Sequence, residues 1–128
     1  MKVYLAGGFR SNWQQQIEKS FPKNQGIIFF NPREHGLDKS DEYYFWDTLH
    51  LEQCDVVFAY LEESNPLALG LIFELGYARG LHKKIILVDE KSNKNTDYAK
   101  QFRFARESVD VVFESLDEGI KFLRSFNQ

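Results

Sequence analysis

The chain has 128 residues, 16 Lys+Arg against 19 Asp+Glu, and a formal net charge of −3. With 43% hydrophobic and 16% aromatic residues it can bury enough apolar surface to offset its ordering entropy, which excludes a disordered chain and fits a single domain over 1–128. The acidic balance argues against bulk nucleic-acid binding, the lone Cys54 excludes a disulfide framework or a cysteine zinc cluster, and no apolar run approaches the roughly 20 residues of a membrane span.

The stretch before Gly7-Gly8 is too short for a signal peptide, so a cytoplasmic location is expected. Val3–Ala6 is an apolar run closed by those two glycines, the pattern of a buried strand. Ser11 is placed to cap a helix carrying Trp13, Ile17 and Phe21 at spacings of four. Gly26–Phe30 reads as a second strand, stopped by Asn31-Pro32. Ser40-Asp41 start a helix that runs to about Cys54, and Asp55–Tyr60 is a third strand. After a loop with Ser64-Asn65-Pro66, Leu67–Leu81 reads as a long, mostly apolar helix. Lys84–Asp89 is a fourth strand, and the polar stretch Glu90–Asn95 reads as a mobile loop. Thr96–Arg106 is helical in pattern, Val109–Phe113 is a fifth strand, and Ser115 caps a final helix to Phe126.

Strand then helix, five times over, with uninterrupted apolar strands, predicts an α/β fold. A five-stranded parallel sheet lies between two helical layers, a three-layer Rossmann-like sandwich. Ligands of such sheets sit outside the carboxyl ends of the strands. That rule selects Gly7–Asn12, Asn31–Glu34, Glu62–Gly70 and Asp89–Asn95.

Three constellations there can carry chemistry. Gly7-Gly8-Phe9-Arg10-Ser11 leaves a strand and enters a helix. Its glycines permit close backbone approach to a ligand, and the Arg10 fork fits a phosphate. A plain tight turn with a solvated arginine fits that loop equally well, and the loop is neither a P-loop nor G-x-G-x-x-G. Glu74 lies on an otherwise apolar helix with Gly70 one turn before it, and a carboxylate in such a place is functional or satisfied by a partner such as a tyrosine hydroxyl. Asp47 ends the aromatic run Tyr43–Trp46, whose rings form either a wall for a planar base, with Trp46 the candidate contact, or part of the core. His35, His50 and His82 supply no metal-ligand spacing, so neither metal nor cofactor is expected. Cys54 reads as a core residue, and Lys83, Lys84, Lys91 and Lys94 as a solvated surface.

Tyr4-Leu5-Ala6-Gly7, Asp47 eight residues before Asp55-Val56-Val57, and Gly70-x-x-x-Glu74-Leu75-Gly76-Tyr77-Ala78 together resemble the nucleoside 2-deoxyribosyltransferase family. The resemblance runs from the first strand to about Val88 and implies a flavodoxin-like fold. It also implies Glu74 as the nucleophile on the anomeric carbon, Asp47 as the group that binds the sugar and handles the proton, and Tyr4 as the residue that orients Glu74. Such chemistry breaks an N-glycosidic bond through an oxocarbenium-like state. Gly7, Gly8, Phe9, Arg10, Ser11, Trp46 and Gly70 are the expected substrate contacts. Ala68 stands where the family's transferases carry an acid. Arg10 resembles the phosphate-binding arginine of the related 2′-deoxynucleoside 5′-monophosphate N-glycosidases, which tolerate a non-acidic residue there. The expectation is therefore an enzyme acting on a small-molecule nucleoside or nucleotide, leaning to the latter. The resemblance also implies a homo-oligomer in which a neighbour completes the pocket, with its residue among Asn95–Arg103. A non-catalytic nucleotide-binding or sensing module on the same fold is the alternative, and Ala68 favours it. A receiver domain is disfavoured, because glycines and Arg10 stand where an acidic cluster would follow the first strand.

Overall fold

The computed structural model describes residues 1–23 and 26–127. Five parallel strands form one sheet in the order β2-β1-β3-β4-β5. They are β1 (Lys2–Gly7), β2 (Ile28–Phe30), β3 (Val56–Leu61), β4 (Lys84–Asp89) and β5 (Val111–Phe113). The helices are α1 (Trp13–Lys19), α2 (Ser40–Gln53), α3 (Leu69–Gly80), α4 (Thr96–Arg106) and α5 (Leu116–Arg124), with single 3₁₀ turns at Pro32–Glu34 and Ser125–Asn127. Among the described residues, no helix is long and apolar enough to cross a membrane.

The strands read as continuous apolar runs because alternate residues serve two cores. Val3 and Leu5 of β1 pack with Trp13, Ile17 and Phe58 beneath α1 and α5. Tyr4 and Ala6 point the other way, into the core under α2, α3 and α4 with Leu51, Val57, Leu75 and Phe102. This alternation puts the Tyr4 hydroxyl on the face that α3 covers. The α5 layer sits close because of Gly119, where a Cβ would come within 2.4 Å of Val88 Cγ2. The chain leaves β1 to build β2 on one side and β3 on the other, so a crevice opens at the carboxyl end of β1.

Several expectations are corrected. The helix after β1 begins at Trp13 with Asn12 at the cap position, and Ser11 donates its hydroxyl to Glu62 Oε1 at 2.5 Å instead of capping. The strand after Lys23 is limited to Ile28–Phe30, and the fifth strand to Val111–Phe113. Leu67 does not start α3, because Ala68 adopts a left-handed conformation (φ 54°) and helical geometry begins at Leu69. The Glu90–Asn95 stretch is a tied turn rather than a mobile loop. Asp89 accepts from the amides of Lys91 and Ser92 at 3.0 and 2.9 Å and from the Ser92 hydroxyl at 2.6 Å. Lys91, expected in solvent, is buried, with Nζ on the Glu63 carbonyl at 3.1 Å and over the Tyr98 ring. The helix after Ser115 ends at Arg124, short of Phe126.

Candidate active site

The crevice is a cleft of about 600 Å³, lined from β1 by the Gly7–Arg10 loop, from α2 by Asp47 and its neighbours, and from α3 by Gly70 and Glu74. That volume lies in the range of small-molecule sites.

Glu74 is half-buried on the cleft wall. A Cβ at Gly70, one turn earlier, would meet nothing within 4 Å, so the space beside the carboxylate is open. The Tyr4 hydroxyl donates to Glu74 Oε2 at 2.5 Å. Burial pushes the Glu74 carboxyl up to about 8; the Tyr4 hydrogen bond opposes this and the charge of Asp47 adds to it. Burial, then the negative charges of Glu74 and Asp47, hold the Tyr4 phenol far above its ordinary range, so it remains a donor. Tyr4 therefore fixes one carboxylate oxygen of Glu74, while Oε1 accepts no hydrogen bond from the described residues.

Asp47 faces the same space from α2. Burial raises its proton affinity, and His35, His50 and Tyr4 counter that in part. Tyr43, Tyr44, Asp47, Thr48 and Leu51 line the cleft, the three-four spacing of one helical face. Trp46 falls off that face. It stacks on His50 at a centroid distance of 3.7 Å and takes no part in the cleft lining, contrary to the expectation of a base contact.

The β1 loop is shaped by its glycines. A Cβ on Gly7 would sit 2.7 Å from the Tyr60 carbonyl oxygen and 2.8 Å from the Trp13 ring, so no other residue fits there. The Gly8 carbonyl accepts from Trp13 Nε1 at 2.8 Å and from Gln14 Nε2 at 3.0 Å. Phe9 and Arg10 are exposed at the rim of the cleft. Ser11 lies outside the lining, bonded to the buried Glu62. Gly76 lies on the exposed face of α3, where an added Cβ would meet nothing within 4 Å.

Two features of the site escape a reading of the sequence. His35 lines the cleft one residue beyond the Asn31–Glu34 segment chosen by the carboxyl-end rule, and its Nε2 lies 3.5 Å from Asp47 Oδ1. Ala68 is held left-handed, with its amide donating to Asn65 Oδ1 at 3.0 Å, while the neighbouring Leu67 carbonyl accepts from the Tyr98 hydroxyl at 2.9 Å. Among the described residues no group of three or more His, Cys, Asp or Glu is placed to hold a metal.

Comparison with solved structures finds the same fold throughout. A 2-deoxyribosyltransferase from Bacillus psychrosaccharolyticus superposes with a TM-score of 0.63 at 23% identity, over 92% of this chain and 89% of that one. A CMP N-glycosidase from Clostridium botulinum gives 0.66 at 22% identity, over 98% and 99%. A Leishmania mexicana protein described as a 2-desoxiribosyltransferase gives 0.69 at 16% identity, over 99% of each. No curated protein matches the chain significantly. The family model described as nucleoside 2-deoxyribosyltransferase like matches residues 1–92. With most of its length under that model, the chain belongs to the nucleoside 2-deoxyribosyltransferase-like family, enzymes of the pentosyltransferase type.

Proposed function

We propose that this protein cleaves or transfers at the N-glycosidic bond of a (deoxy)nucleoside or nucleoside 5′-monophosphate through a glycosyl–Glu74 intermediate. The observation that carries this reading is the Glu74 carboxylate on the cleft wall, aimed by Tyr4 at 2.5 Å, with Asp47 facing the same space.

In the first step Glu74 attacks the anomeric carbon. A carbon–oxygen bond forms, the carbon–nitrogen bond breaks, and its electron pair leaves with the base. Asp47 is the nearest candidate to give that base a proton, since burial raises its hold on one. In the second step water, or the nitrogen of a second base, attacks the same carbon and gives its proton to Asp47, while the carbon–oxygen bond to Glu74 breaks and returns it as carboxylate. The attacking form of Glu74 is the ionised one. Its raised proton affinity means that substrate binding, or a rising pH, must free it.

Arg10 supports a phosphorylated substrate, because it stands at the rim of the cleft on the glycine loop. The exposed apolar side chains around the mouth, among them Leu67, Leu69, Phe73 and Tyr44, support a homo-oligomer in which a second copy covers this rim. Ala68, in place of an acid, favours the second reading of a nucleotide-binding module without turnover.

The test is chromatography for free base after incubation with nucleosides and their monophosphates, with and without an acceptor base. Base release supports the enzyme reading. Tight binding with no release from any of them supports the module. If phosphate is recognised, Arg10→Ala lowers kcat/KM for monophosphates by about tenfold or more and leaves unphosphorylated nucleosides unchanged; equal loss on both removes the phosphate role.

A further inference from the structure

His35 is a cleft residue to which that reaction assigns no part. It follows the 3₁₀ turn at the carboxyl end of β2, and its side chain is 8% exposed. The Leu37 amide donates to its Nδ1 at 2.9 Å. A ring nitrogen that accepts carries no proton, so the imidazole proton lies on Nε2. That nitrogen stands 3.5 Å from Asp47 Oδ1, and Trp46 braces the ring edge-on at 4.9 Å.

Asp47 Oδ1 is buried and accepts no hydrogen bond from the described residues. A buried carboxylate oxygen of that kind calls for a donor. The titratable groups around it are Tyr4 from β1, Glu74 from α3, His50 from its own helix and His35. Tyr4 donates its proton to Glu74. His50 directs Nδ1 at the Trp46 carbonyl at 2.7 Å, and a carbonyl only accepts, so its proton lies there and its Nε2 has none to give. Glu74 in its ionised, attacking form has no proton to give. The donor that remains is His35 Nε2–H, a few tenths of an ångström beyond hydrogen-bond distance. Hydrogen bonds of working sites are often long without ligand and tighten when it binds.

We propose that His35 is the positioning residue of Asp47, its Nε2–H closing on Oδ1 so that Oδ2 alone is presented to the substrate. The inference rests on the reading of Asp47 as a substrate-contacting group. It also means that His35 tunes the proton affinity of Asp47 downward against its burial.

The test uses His35→Phe, which keeps a ring against Trp46 and removes the donor, and His35→Gln, which restores an N–H near the position of Nε2. His35→Leu replaces the phenylalanine variant if that one fails to fold, as judged by thermal melting. Two readouts are taken: kcat/KM for base release, and the Asp47 carboxyl titration followed by ¹³C NMR, which needs no turnover. The donorless variant lowers kcat/KM by about tenfold to a hundredfold, the cost of a misplaced group, and moves the Asp47 midpoint upward. His35→Gln recovers most of both. An unmoved Asp47 midpoint in the donorless variant overturns the proposal, as does a glutamine variant that behaves like it. If the unsubstituted protein releases no base, the glycosidic reading fails, while the titration still decides whether His35 holds Asp47.

Discussion

The carboxylate of Glu74 is held in a state that costs the folded protein stability. Its proton affinity is raised from an ordinary 4.5 to about 8. Between those two values the folded chain binds a proton that the unfolded chain has released, so stability falls as pH rises through the window. Glu74→Gln keeps an acceptor for Tyr4 and removes the ionisation. The variant should therefore melt higher than the unsubstituted protein at pH 8.5, with the difference shrinking steadily towards pH 4.5. Thermal denaturation across that range checks it, and a difference that does not change with pH contradicts it. The place of Glu74 on the cleft wall was legible in the sequence because an acid interrupts an apolar helix face. Asp47 was legible through its resemblance rather than its surroundings. His35 was not legible, because its meaning depends on β2 bringing a turn against a helix that starts five residues later. Trp46 was misjudged because the aromatic run was read as a block, whereas a helix turns 100° per residue and carries Trp46 off the face that Tyr43, Tyr44 and Asp47 share.

At the scale of elements, α3 owes its position to the residues just before it. Ala68 adopts a left-handed conformation that costs an L-residue roughly 1–2 kcal/mol, and it is over-determined from two sides. Asn65 holds its amide, and Tyr98, from α4, holds the Leu67 carbonyl. Tyr98→Phe removes the second tie and should lower stability by about 1 kcal/mol. Because Leu67 and Ala68 line the cleft, ligand binding should weaken by roughly fivefold as well; urea unfolding and calorimetric titration read the two effects, and unchanged values of both contradict the tie. Gly119 sets the approach of α5 on the other face. Gly119→Ala should cost about 1–3 kcal/mol, since the new methyl meets Val88 and the Phe58 ring. A neutral result in urea unfolding contradicts the packing described. Neither feature was legible beforehand. The left-handed Ala68 has no glycine or asparagine to announce it, and Gly119 sits in a helix whose neighbours are strands far away in sequence. The turn after β4 was misread for a similar reason, because Asp89 gathers polar neighbours that in isolation look like a solvated loop.

At the scale of the whole molecule, the five-stranded sheet and its two helical layers followed from strands whose interiors are uninterrupted apolar runs, which only a sheet covered on both faces requires. That architecture brings Tyr4, Asp47 and Glu74, from three elements spread over 70 residues of sequence separation, to one crevice beside the carboxyl end of β1. The proposed reaction turns on a covalent bond to Glu74. The direct measurement is the rate of base release by Glu74→Ala beside the unsubstituted protein, on the best substrate found and with circular dichroism confirming the fold. The expected outcome is a loss of roughly a thousandfold or more. Base release at a comparable rate by the folded variant would contradict it.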